Sequence, residues 1–284
     1  MKRLITSFCF LLFAFCSSRE KPLVIGSKNF TESVILGELL AQKLEANGCN
    51  VERRLNMGGT FVCDTAIRSG AIDAYVEYSG TALTAILKLP AINDRAKVNE
   101  LVRAAYEKRG LRWSPPLGFN NTFAMIVRRA GAQSQGLRKI SDLVNVAKIY
   151  EPGFGYEFTE RPDGWTGLQH AYGLQFAKPP RTMDLGLTYR ALVSGQVDLI
   201  AGNSTDGLIE SFGLIVLDDD KHFFPPYDAV VVQRNDLDAR CHDASKTLES
   251  LRNSIDDATM RHLNFEVDGN KRAVAEVVKQ FLRR

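Results

Sequence analysis

Lys28 in the segment GSKNFTE, Tyr78 and Thr81 in EYSGT, and Arg161 in FTERPDGWTG are the residues of this chain best suited to gripping a small charged molecule. A lysine and an arginine converging across a gap bind an anion, most simply a carboxylate. Both present charged N–H donors, and the guanidinium does so as a planar fork. Taken singly, each position is as well explained by a surface salt bridge. The aromatic residues Tyr78, Phe123, Trp165 and Tyr227 lie at loop ends or crossings rather than at core spacing. Aromatic faces gathered in a cleft hold a cation, a quaternary ammonium above all. An anion grip beside a cation box predicts a zwitterion such as a betaine.

Covalent chemistry finds no comparable set of residues. His170, His222, His242 and His262 are scattered, with no metal-type or base-type grouping, and no GxSxG, Walker or GxGxxG motif is present. Gly58-Gly59-Thr60 is too little for a phosphate loop. No catalytic residue, metal or cofactor is therefore expected. Asp73 and Asp198 occupy equivalent strand positions and are read as caps of neighbouring turns. The cysteine spacings match no zinc pattern. Cys49 and Cys63 are free to pair if the protein is exported, and buried thiols are the alternative.

The elements that must position these residues announce themselves by repetition. Residues 69–83 read SGAIDAYVEYSGTAL and residues 194–208 read SGQVDLIAGNSTDGL, so that Ser69-Gly70 matches Ser194-Gly195, Asp73 matches Asp198, and Ser79 matches Ser204. Each copy runs from a helix end through a short apolar strand into a polar loop. The copies start 125 residues apart. That exceeds the roughly 20–50 residues of a solenoid repeat and suits two similar lobes. Ligands of open α/β sheets sit outside the carboxyl ends of the strands, so two such loops facing one another describe a cleft.

Strands are expected at 23–26, 51–55 and 72–76, with helices starting at Thr31 and after Gly59. That order implies an α/β lobe with parallel pairing. Residues 83–110 read as two helices broken near Pro90. Further strands are expected at 122–128, 147–150, 214–217 and 229–233. The helices expected later are Gly164 to Tyr172, Thr188 to Ser194, and two after Ala244 broken around Gly269. The two strong strands, 122–128 and 229–233, are read as hinge crossings. They divide the chain into lobe one (21–121 plus 234–284) and lobe two (129–226).

The amino end, MKRLITSFCFLLFAFCSS, has Lys2 and Arg3 before about a dozen apolar residues, too few to cross a bilayer. It reads as a signal peptide over residues 1–18. Cys16 stands where a lipoprotein signal places its acylated cysteine, and cleavage after Ser18 is the alternative. The chain is 45% apolar and 24% charged, ordinary for a globular protein. Its net charge of +3 shows no basic stripe, so nucleic acid is not an expected partner.

The segments IGSKNFTESVILGELLAQKLEANG, SGAIDAYVEYSGTAL, GFNNTFAM, RPDGWTGLQHAYG, MDLGLTYRALVSGQVD, STDG and DDDKHFFPPYDAVVV follow one another over residues 23–232. Together they resemble the osmoprotectant-binding proteins of quaternary-amine ABC importers, whose ligands include glycine betaine, carnitine and choline. The resemblance implies a two-lobed periplasmic-binding-protein fold of type II with a two-strand hinge. It implies a monomer outside the cytoplasmic membrane, tethered there if Cys16 is lipidated, that delivers its ligand to an ABC permease. It also assigns the carboxylate to Lys28, Thr81 and Arg161, and the ammonium to a cage at Tyr78, Phe123, Asn203 and Tyr227. That family carries tyrosines at the positions of Phe123 and Asn203, so the anion grip is intact and the cage is altered. Ala82, where some choline binders have an aspartate, argues against choline. The alternatives are another carboxylate ligand such as an amino acid, or an enzyme on the same two-lobed fold.

Overall fold

A computed structural model describes residues 21–283. The expected signal peptide, 1–18, and Cys16 lie outside the described residues. Among the described residues, no helix is long and apolar enough to cross a membrane.

Among the described residues, ten strands build two five-stranded sheets. In chain order they are β1 (Leu23–Gly26), β2 (Val51–Arg54), β3 (Ala74–Tyr78), β4 (Leu111–Asn120), β5 (Phe123–Val127), β6 (Pro152–Gly155), β7 (Arg181–Met183), β8 (Leu199–Asn203), β9 (Ile215–Leu217) and β10 (Asp228–Arg234). The first sheet is ordered β2-β1-β3-β10-β4 and the second β7-β6-β8-β5-β9. In each, three parallel strands are followed by one antiparallel strand, β10 against β3 and β5 against β8. The two sheets thus share one topology, and the mixed α/β, two-lobed architecture follows from the repeat.

The repeated phrase folds the same way twice, down to its hydrogen bonds. Ser69 and Ser194 end the helices Thr60–Arg68 and Leu185–Val193, and each hydroxyl donates to the carbonyl three residues back. Gly70 and Gly195 then adopt φ of 75° and 76°, a left-handed turn that favours glycine. Asp73 accepts from the Val24 amide and from Arg240, while Asp198 accepts from the Glu151 amide and from Arg128. These carboxylates tie each repeated strand to its parallel neighbour. Ser79 accepts from the Asp228 amide and donates to the Pro226 carbonyl, and the Ser204 amide donates to the Thr122 carbonyl. The repeated serines therefore hold the two places where the chain passes between lobes.

Several expectations need correction. The strands expected to cross the hinge each lie wholly in one sheet, β5 in the second and β10 in the first, because each is paired along both edges. The links between sheets are residues 121–122 and 218–227. The strand expected at 147–150 falls instead at β6, since Ala147 to Lys148 are a turn. β4 is absent from the sequence expectations: WSPPLGFN carries two prolines, which remove ladder donors. It is tolerated as an edge strand whose pairing with β10 shifts register twice.

Cys49 does not pair with Cys63. It is bonded to Cys241, 192 positions along the chain, and Cys63 is a buried free thiol. The bridge ties the chain after the helix Leu237–Arg240 to the start of β2, closing the first lobe on its returning segment. Replacing both bridge cysteines by serine is expected to destabilise the protein by about 2–4 kcal/mol. Ligand affinity should stay within about twofold. Denaturant unfolding of oxidised, reduced and mutant protein measures this, and a mutant as stable as the oxidised protein contradicts it.

Candidate functional site

The two sheets face each other across a cavity of about 290 Å3. Lys28, Tyr78, Thr81, Phe123, Arg161, Asn203 and Tyr227 all line it, so the structure brings the seven candidates together from separate stretches of chain. Lys28 follows β1, Tyr78 ends β3, and Thr81 stands in the turn after it. Phe123 opens β5 and Asn203 ends β8, directly opposite in the antiparallel ladder, which puts both side chains on one face of the sheet. Arg161 follows the short helix Tyr156–Glu160, and Tyr227 precedes β10.

Both cations are buried, at 3% exposure for Lys28 and 4% for Arg161. A buried charge needs a partner, and each has its own. Lys28 Nζ donates to Glu77, itself fully buried, and to Thr60 Oγ1 at 2.9 Å. Burial pushes the Glu77 carboxyl up, against the pull of Lys28. Arg161 gives Nε (2.8 Å) and Nη2 to the two oxygens of Asp163, a bidentate pair. Its remaining nitrogen, Nη1, reaches Thr81 Oγ1 in the opposite lobe at 3.0 Å. Asp163 also accepts from Thr84 (2.7 Å) and from the Tyr227 hydroxyl (2.6 Å). Burial opposes its charge, but the Arg161 bonds win and hold its carboxyl below the usual range.

The aromatic faces surround these charges. The Arg161 guanidinium carbon is 5.0 Å from the Phe123 ring centre and 5.8 Å from that of Tyr227, and Lys28 Nζ is 5.1 Å from that of Tyr78. Phe123 meets Tyr227 edge-on at 5.7 Å and Phe158 at 4.9 Å. Asn203 supplies no ring, and its amide nitrogen lies 3.3 Å from Asp206. Trp165 does not reach the cavity. It is buried against Phe154 and Phe176, so its place is in the second lobe's core.

Sequence reasoning misses Glu77, Asp163 and Glu157, the carboxylates that partner the cations, and the rings of Phe30, Phe61, Tyr156 and Phe158, which also line the cavity. Glu77 is visible as the one charge in the strand AYVEY, and Asp163 as the acid two residues after Arg161. Also missed is Glu32, in the first turn of the helix Thr31–Ala46. Its buried carboxylate accepts from Tyr78 (2.6 Å), Asn121 (2.7 Å), Thr205 and Asn264 (3.0 Å). Burial pushes its carboxyl up while the four donors pull it down. Glu32 thereby joins a cavity tyrosine, the first interlobe link and the polar loop of the second lobe at one point.

Comparison with known proteins fits this geometry. The family described as "Substrate binding domain of ABC-type glycine betaine transport system" matches residues 21–284. The "Glycine-betaine-binding protein" of Pseudomonas aeruginosa is 36% identical, over 100% of this chain and 95% of that one. The "Ergothioneine transport permease/ergothioneine binding protein EgtU" of Helicobacter pylori is 37% identical over 93% of this chain, which spans about half (48%) of that longer protein. A solved structure described as a "glycine betaine/carnitine/choline ABC transporter" superposes with a TM-score of 0.75 at 32% identity, covering 92% of this chain and 97% of the other. This chain belongs to the family of substrate-binding domains of ABC-type glycine betaine transport systems.

Proposed function

We propose that the interlobe cavity captures a small zwitterion bearing a methylated ammonium and a carboxylate, for delivery to an ABC permease. The observation that carries this reading is the juxtaposition of two buried cations with the rings of Tyr78, Phe123 and Tyr227 in one cavity. The ligand carboxylate would take the donors that remain on Lys28 and Arg161, with Thr81 beside them. The ammonium would lie against the three rings, where each contact contributes about 0.5–2 kcal/mol. Delivery to a permease requires a place outside the cytoplasmic membrane. The Cys49–Cys241 bridge supports that, since structural disulfides persist in oxidising compartments. Export through residues 1–18, tethering through Cys16 and action as a monomer complete the proposal.

Asn203 favours a second reading of the ligand. The cavity adjoins another of about 580 Å3, and Asn203, Asp184, Leu185, Asn29 and Phe30 line both. A betaine carrying a polar arm could extend there, as the ergothioneine named for the Helicobacter pylori relative would.

Titration calorimetry with glycine betaine, carnitine, choline and ergothioneine tests both readings. Binding of a carboxylate-bearing betaine is expected, and a protein indifferent to all four contradicts the proposal. Asn203→Tyr should strengthen glycine betaine binding by up to about tenfold, one added cation–π partner. Loss of glycine betaine binding in a folded Asn203→Tyr protein would make Asn203 a polar contact instead.

A further inference from the structure

The proposed carboxylate site already faces a carboxylate of the protein. Glu157 belongs to the second lobe, in the helix Tyr156–Glu160, and lines the cavity. Its Oε1 lies 3.5 Å from Arg161 Nη1, the one guanidinium nitrogen that Asp163 does not use. Its Oε2 lies against the first lobe, 3.4 Å from where a side chain at Gly59 would begin. Gly59 and Thr60 open the helix Thr60–Arg68, whose first amides favour an anion. Lys28 Nζ, with three N–H groups of which two serve Glu77 and Thr60, has one left for this region. Partial burial opposes ionisation of Glu157, but Lys28 and then Arg161 hold its carboxyl below the usual range. Glu157 differs from Glu77 and Asp163 in one respect: its side chain is 37% exposed, while theirs are closed off. It has room to move.

We propose that Glu157 is a specificity-determining residue that competes with the ligand carboxylate for Lys28 and Arg161 and so sets the charge selectivity of the cleft. The inference rests on the zwitterion reading above. With Glu77 and Asp163 each spent on one cation, Glu157 is the next carboxylate to reach Arg161; Glu160 and Asp184 also line the cavity but pair with neither cation, and they add to the negative surplus. A ligand carboxylate entering there meets a like charge and must displace it. A ligand with an ammonium and no carboxylate meets no such opposition and gains from the negative surplus.

The test is calorimetric titration of wild type and Glu157→Gln with glycine betaine, carnitine and ergothioneine, and with choline as the carboxylate-free probe. Relief of a like-charge contact in a closed site is expected to tighten the carboxylate ligands by about tenfold. Choline should bind no tighter in the variant than in wild type. Glu157→Ala should act in the same direction, and thermal melting confirms that each variant is folded. If wild type binds a carboxylate ligand and both variants bind it equally or more weakly, Glu157 is not a competitor and the zwitterion reading stands. If choline tightens as much as the carboxylate ligands, the effect is not charge selection and the proposal fails. If wild type binds no carboxylate ligand, both the proposal and the reading beneath it fall.

Discussion

Arg161→Ala is expected to abolish capture of a carboxylate ligand and to weaken the fold at the same time. Arg161 touches both lobes: two of its nitrogens hold Asp163 and the third reaches Thr81. Deleting a charge-assisted hydrogen bond to the ligand in a closed cleft costs about 2–3 kcal/mol, more than tenfold in affinity. Removing one partner of a buried pair costs about 3–5 kcal/mol, because the other charge is left uncompensated. Here that charge is Asp163, 3% exposed, with hydroxyls alone for company. The double variant Arg161→Ala/Asp163→Asn should recover much of the stability and none of the binding. Arg161→Lys should not restore binding, since one ammonium cannot serve Asp163 bidentately and Thr81 together. Calorimetry and denaturant unfolding separate the two effects. An Arg161→Ala protein within twofold of wild-type affinity would remove Arg161 from the site.

Glu32→Ala is expected to be the most damaging change outside the cavity wall. It deletes one acceptor group shared by four side chains from four separate stretches of chain. Each buried donor left unpaired costs about 1–3 kcal/mol. Even if water reaches some of them, the total destabilisation should exceed about 3 kcal/mol. Binding should weaken as well, because Tyr78 loses the bond that fixes its ring and the interlobe link at Asn121 loses its anchor. Glu32→Gln keeps the volume but turns one oxygen into a donor facing other donors, so it should fall between alanine and wild type. Unfolding in urea measures the change in stability. A Glu32→Ala protein with wild-type stability and affinity would contradict the role given to this residue.

How much of this was legible in the sequence depended on local pattern. That Lys28, Tyr78, Thr81, Phe123, Arg161 and Tyr227 gather at one cavity was legible because most sit beside a strand end, where α/β folds place ligands, whereas Asn203 came only through the family resemblance. The repeat was legible because the same turn, helix end and strand tie recur with the same residue types. The charge pairing was not. Glu77 and Asp163 select their partners in three dimensions, and nothing in linear spacing says that Lys28 meets a residue 49 positions away. The Cys49–Cys241 bridge was hidden for the same reason, since linear spacing does not say which of the five cysteines pair. Trp165 misled because a ring after a loop looks like a cleft residue, whereas the helix it begins turns it into the core. The strand β4 was masked by Pro115 and Pro116, which local propensity reads as a break and an edge position permits.

The identity of the molecule that the protein carries decides whether the cavity is a zwitterion site. Native mass spectrometry of protein purified from its own host, followed by release and high-resolution mass analysis, reads it without a prior choice of ligand. A one-to-one complex with a carboxylate that bears a methylated ammonium, recovered chemically unchanged, is expected. A bound neutral solute, a cation without a carboxylate, or a molecule altered by the protein would contradict it.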